Sequence, residues 1–153
     1  MIKGLGKRFS ALVLAGILSL LVIPAALAAV NLADGTYSVN YTVLKADSDT
    51  ASMADTYFAK PATVVVENGE VYAQVQLNSS SWITKLEVEQ GGTFVEAQTV
   101  SSNSAANTRV VQFPLEGLTS PTNAKITVSI PAIGYSGYYD IRLAFDESSA
   151  AAQ

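Results

Sequence analysis

Apolar and polar residues alternate with period two in one segment after another, turn signals recur at short intervals, and no long stretch after the N-terminal leader carries a helical period. Together these predict an all-β fold. Their spacing is that of an immunoglobulin-like antiparallel β-sandwich of about eight strands, with one short helical turn after the first strand.

The first strand is Thr36–Val43, where Tyr37, Val39, Tyr41 and Val43 share one side and Ser38, Asn40 and Thr42 the other. Strict alternation marks a half-buried strand. Ala51–Ala59 then breaks the rhythm and holds no glycine. It reads as a helical turn, with Ser52 as N-cap and Pro61 as the stop. A lone helical turn there has little folding purpose, and such connections more often carry function.

Ala62–Glu67 is rich in β-branched residues, and Asn68-Gly69 tolerates the positive φ of a tight hairpin turn. The return strand Val71–Leu77 sends Ala73, Val75 and Leu77 inward and Gln74 and Gln76 outward. Trp82–Val88 is the fourth strand, with Trp82, Leu86 and Val88 expected on one face. Gly91-Gly92 turns the chain into Thr93–Val100, and Ser101–Asn107 reads as an exposed loop. Arg109–Phe113, Lys125–Ile130 and Tyr139–Phe145 complete the set. The tail Ser148–Gln153 carries no pattern and is expected to fray.

The N-terminus has a different character. Lys3, Lys7 and Arg8 precede an almost unbroken apolar run, Phe9–Leu27, and Ala26-Leu27-Ala28 supplies a small-x-small cleavage site. Residues 1–28 read as a secretory signal peptide, leaving 29–153 as one domain with its core at about 34–147. Cleavage removes three of the nine basic residues and none of the thirteen acidic ones, so the charge moves from −4 to −7. A chain this acidic has no electrostatic reason to bind nucleic acid. No later apolar run is long enough to span a bilayer, so the mature chain is not expected to cross one.

The 153 residues include no Cys and no His. That excludes disulfides, thiolate or imidazole metal sites, Cys nucleophiles and His acid–base pairs. No nucleophile elbow, P-loop or carboxylate cluster stands out either, so an enzyme is not expected. Any metal chemistry must use oxygen donors.

Tyr135 and Tyr139 offer such donors. Read as the flanks of a three-residue loop Ser136-Gly137-Tyr138, they would face each other across a hairpin with Cβ atoms about 5 Å apart. A phenolate is a hard anionic ligand suited to ferric iron, as in catalase. A free Tyr has a pKa of about 10, so it needs the metal and a hydrogen-bond donor to favour its charged form. Spacing alone favours ordinary cross-strand packing, since Tyr pairs in strands are common.

The stretch Tyr135-Ser-Gly-Tyr-Tyr139-Asp-Ile-Arg-Leu-Ala-Phe-Asp146 resembles the Tyr-x-x-x-Tyr haem motif of NEAT (near-iron-transporter) domains. Ser52-Met53-Ala54-Asp55-Thr56-Tyr57 is similar to that family's Ser-x-x-x-x-Tyr helical lip, and Val71–Ile83 to its alternating strand with Asn-Ser-Ser-Trp. The resemblance covers about Asp34–Glu147. It implies a haem-binding protein with Tyr135 as axial iron ligand and Tyr139 as its hydrogen-bond partner. Ser52 would bond a haem propionate, and Met53 and Tyr57 would pack over the distal face. Ile83 and Trp82 would line the pocket, and Ile126, Val128 and Ile130 would form its apolar wall. On alternation alone those three fit plain sandwich core, and Ser52 a plain N-cap.

The implied function is capture of ferric haem outside the cell and transfer to another haem-transfer protein. Globin-binding members carry an aromatic-rich lip, whereas this one offers only Tyr57 and Phe58, which speaks against haemoglobin docking. No Cys stands near the leader for a lipid anchor, and no sortase signal with an apolar tail is seen, so free secretion is expected. The rival reading is an exported adhesin or carbohydrate-binding module, since Tyr and Trp on a sandwich face also suit sugar stacking.

Overall fold

Alternation gives each strand one apolar face to cover, and two antiparallel sheets cover each other. The computed structural model describes residues 31–153; the expected leader at 1–28 lies outside the described residues. One sheet contains β1 (Gly35–Val39), β3 (Ala62–Glu67), β4 (Glu70–Asn78), β7 (Gln98–Asn103), β8 (Thr108–Leu115) and β11 (Ala151–Ala152), in the order β11-β1-β3-β4-β8-β7. The other contains β2 (Tyr41–Lys45), β5 (Ile83–Gln90), β6 (Thr93–Glu96), β9 (Thr122–Ile130) and β10 (Tyr135–Phe145), in the order β2-β10-β9-β5-β6. The predicted sandwich is present, with eleven strands among the described residues instead of about eight.

Two of the additional strands come from single alternating runs that divide between the sheets. Thr36–Val43 breaks at Asn40, whose N–H donates to Ser149 Oγ and whose carbonyl accepts from Asp146 N. Val39 and Val43 are both fully buried, because the inner faces of both sheets look into the same core. Thr93–Val100 divides likewise at Ala97, whose N–H bonds the Leu86 carbonyl. Part of the expected loop Ser101–Asn107 is strand, as β7 continues to Asn103.

The tail does not fray. A 3-10 turn at Glu147–Ser149 leads into β11, which pairs with β1 through Tyr37↔Ala152 and Ser38↔Ala151. Gln153 N donates to the Thr36 carbonyl. Backbone groups of an open sheet edge hold this segment, and they leave no trace in side-chain pattern.

Both Asn68 and Gly69 have positive φ, 53° and 82°, as a two-residue hairpin between β3 and β4 requires. The core is almost wholly apolar: among the described residues no charged side chain is buried, and Tyr41 brings in a hydroxyl that is hydrogen-bonded to the Ala59 carbonyl. Phe113, Leu77, Ile83, Leu86, Leu118 and Leu143 are its largest enclosed members. Leu77 also receives the isolated bridge from Phe58 that ties the helical connection to β4. Leu77→Ala is expected to destabilise the fold by about 2–5 kcal/mol, the usual range for a core leucine. Urea unfolding of the two proteins measures this directly.

Candidate functional site

Residues of β10 alternate inward from Phe145 through Leu143 and Ile141, all buried. Continuing that alternation back along the strand puts Tyr139, Gly137 and Tyr135 on the same face. They stand beyond the covered core: Tyr139 is 43% exposed and Tyr135 40%. Directly across the ladder on β9, Ile126 faces Tyr139, Val128 faces Gly137, and Ile130 faces Tyr135. On the next strand Leu86 flanks Ile126 and Ile83 flanks Val128. The result is an apolar shelf that grades from buried Ile83 and Ile126 to half-buried Val128 and Ile130.

The tyrosines therefore lie on one strand, four residues apart, and do not face each other across a hairpin. The turn sits earlier, at Pro131–Ile133, and ends at Gly134 with φ 65°. Pro131 presets the first φ of that 3-10 turn and Gly134 accepts the left-handed closing position. Gly137 is left as a strand residue. A Cβ placed on it would lie 2.8 Å from the Tyr135 hydroxyl, and 2.7 Å from both the hydroxyl and Cε2 of Tyr139. Both phenols lean over the same bare Cα, so their oxygens converge although their backbones do not.

Trp82 is also displaced from its expected face. A bulge between Ile83 and Lys85 inserts Thr84 and shifts the phase of β5. Ile83, not Trp82, joins Leu86 and Val88 in the core, and Trp82 stays 37% exposed. Its carbonyl accepts from Ser129 N, which places it beside the shelf instead of on it.

The helical segment occupies the same end of the sandwich. Met53–Tyr57 is a 3-10 turn with Ser52 as N-cap, the hydroxyl oxygen accepting from Ala54 N. Phe58 rather than Pro61 ends it, by returning to extended backbone and pairing with Leu77. Asp55 fastens the turn: its carboxylate accepts from Val43 N at 2.7 Å and pairs with Lys60 Nζ at 2.6 Å. Tyr41 braces it from below, donating to the Ala59 carbonyl at 2.7 Å and stacking on Phe145. Burial, with the Asp55 charge second, raises the Tyr41 pKa well above the ordinary phenol value, so this hydroxyl remains a donor. Met53 projects freely at 89% exposure, and Tyr57 is half-buried against the core.

The structure thus gathers Tyr135, Tyr139, Val128 and Ile130 on the uncovered part of one sheet face, with Ile83 and Ile126 buried at its inner edge, and Ser52, Met53 and Tyr57 on the turn at the same end. Two residues escaped sequence reasoning. Asp55 has no pattern that marks it as an anchor. Gly137 did carry a signal, because glycine inside a strand often marks a close approach. At the opposite end of the sandwich a cavity of about 390 Å³ is walled by Glu89, Glu116, Thr119, Ser120 and Asn123. Those polar walls do not suit a porphyrin.

An apolar sheet face, two phenol oxygens that converge on one glycine and a capped turn at the same end are features that suit a flat apolar ligand in need of an oxygen donor. The chain belongs to the NEAT family, whose Iron Transport-associated domain matches residues 30–147. It is 50% identical over 123 residues to hemin/hemoglobin-binding protein 1 of Listeria monocytogenes, covering 79% of this chain and 58% of that protein. It is 31% identical over 116 residues to iron-regulated surface determinant protein C of Staphylococcus aureus, covering 76% and 48%. The chain therefore spans only about half the length of these relatives. Among solved structures, the NEAT5 domain of IsdX2, a Bacillus anthracis hemophore in complex with heme, superimposes with a TM-score of 0.75 at 39% identity. The match covers 76% of this chain and 98% of that domain. The family consists of haem-binding modules and not of enzymes.

Asp55→Ala would leave the Val43 N–H unpaired and release Lys60. It is expected to cost about 1–3 kcal/mol in apo-protein stability. Hydrogen exchange should localise the loss to residues 53–58, while the β4–β8 ladder keeps its protection.

Proposed function

We propose that this chain binds ferric haem on the β9–β10 shelf and carries it in extracellular iron acquisition. The observation that supports this most is the convergence of the Tyr135 and Tyr139 hydroxyls over an apolar surface. The donor set fits the cargo: ferric iron favours a hard anionic oxygen, and this chain contains no His or Cys to compete for it.

In this reading Tyr135 supplies the axial oxygen and Tyr139 donates a hydrogen bond to it, favouring its charged form. Val128 and Ile130 exclude water from the porphyrin face, and buried Ile83 and Ile126 form the apolar base beneath them. Ser52 spends a lone pair on its own N-cap but keeps its O–H proton, which is available to a propionate. Met53 and Tyr57 close over the opposite face, and Trp82 stands at the rim. Half-exposed ligands on a rigid sheet suit a carrier, because the cargo can be handed on without unfolding the site. The partners are haem and a second haem-transfer protein, and the setting is outside the cell, after removal of the leader.

Titration of apo-protein with haemin, followed by absorbance, tests the assignment. Tyr135→Phe is expected to abolish tight binding. Tyr139→Phe should weaken it by about 10–100-fold, the usual effect of losing a partner to a metal ligand, and should shift the ferric spectrum. Wild-type affinity in Tyr135→Phe would remove this residue as the ligand.

A further inference from the structure

We propose that Gly137 is a positioning residue for haem binding: its missing side chain lets the two phenols lie against the sheet at a single point. This deepens the proposed haem site and depends on it. Across the shelf, Ile83, Val128 and Gly137 form one row, and Gly137 is the only member without a side chain to raise the floor. Three atoms of the tyrosine pair fill that hollow, each within 2.8 Å of where a Cβ would stand. Real Cβ atoms essentially never come so near, so any other residue must push the phenols outward.

No positive φ accounts for the glycine. Gly137 lies within the regular β9–β10 ladder, paired with Val128, and is absent from the residues of left-handed backbone. Its conformation is one that alanine adopts freely, and strands ordinarily gain from that exchange. The value of glycine here is thus steric and is directed at the tyrosines. A methyl group would separate the two hydroxyls and lift the Tyr135 oxygen into the space the porphyrin needs. Metal affinity and the electronic signature of the iron would suffer, while the fold would not.

The test compares wild type, Tyr135→Phe, Gly137→Ala and Gly137→Val by haemin titration, ferric absorption spectrum and apo-protein melting. Gly137→Ala is expected to lose about tenfold or more in haemin affinity, in the range seen when the surroundings of a metal ligand are disturbed. Gly137→Val should lose more, both spectra should depart from wild type, and neither apo-protein should melt earlier. In a Tyr139→Ala background two of the three close atoms are gone, so adding Gly137→Ala should then reduce affinity far less. Wild-type affinity and spectrum in Gly137→Ala, beside a Tyr135→Phe that fails to bind, would overturn this role and leave the site intact. An unfolded Gly137→Ala would overturn it too, since the methyl meets only ring ends that are free to swing outward. Failure of wild type itself to take up haemin would overturn the site and this role together.

Discussion

The strand pair β9–β10 outruns the sheet that covers it, and the site depends on that mismatch. One alternating face serves two purposes along its length. From Ile141 to Phe145 it packs into the core, and from Tyr135 to Tyr139 it emerges as an apolar surface with polar tips. Because the two stretches belong to one strand, the rigidity of the core carries over to Tyr135 and Tyr139. A binding surface made this way needs no loop to hold it in shape.

The turn at Met53–Tyr57 complements that surface by the opposite means. It gains little from its own five residues, since a short 3-10 turn is weak in isolation. Its position comes from Asp55 on Val43, from Phe58 on Leu77, and from the Tyr41 hydroxyl on Ala59. These bonds link it to β2 in one sheet and to β4 in the other. Ser52 and Met53 are therefore held at the mouth of the sandwich by both layers.

Much of this was legible in the sequence because period-two alternation reports directly which side chains are buried. The alternating sides that carry Val39, Val43, Val75 and Leu77 are the buried ones, and Asn68-Gly69 marks its turn. Alternation does not say which sheet a residue joins, so the crossings at Asn40 and Ala97 were invisible. Nor does it register an inserted residue, which is how Thr84 exchanged the places of Trp82 and Ile83. At the site, the residue types were legible and their arrangement was not. The Tyr-x-x-x-Tyr spacing fits both a hairpin and a straight strand, and only Pro131 with Gly134 fixes the turn elsewhere. The docking of β11 depends chiefly on backbone pairing with an open edge, which composition cannot reveal.

That docking brings the two ends of the described chain to a common seam. Asn31 bonds the Glu147 carboxylate through both its backbone and side-chain nitrogen, and Gln153 reaches Thr36 and Ser38. Asn31 thus lies against the Glu147–Ser149 turn and Gln153 against β1, two parts of one seam. The domain can thus be threaded into a larger protein like a bead whose two holes adjoin, with the flanking tethers bearing on β1 and β11 rather than on the strands that present the tyrosines.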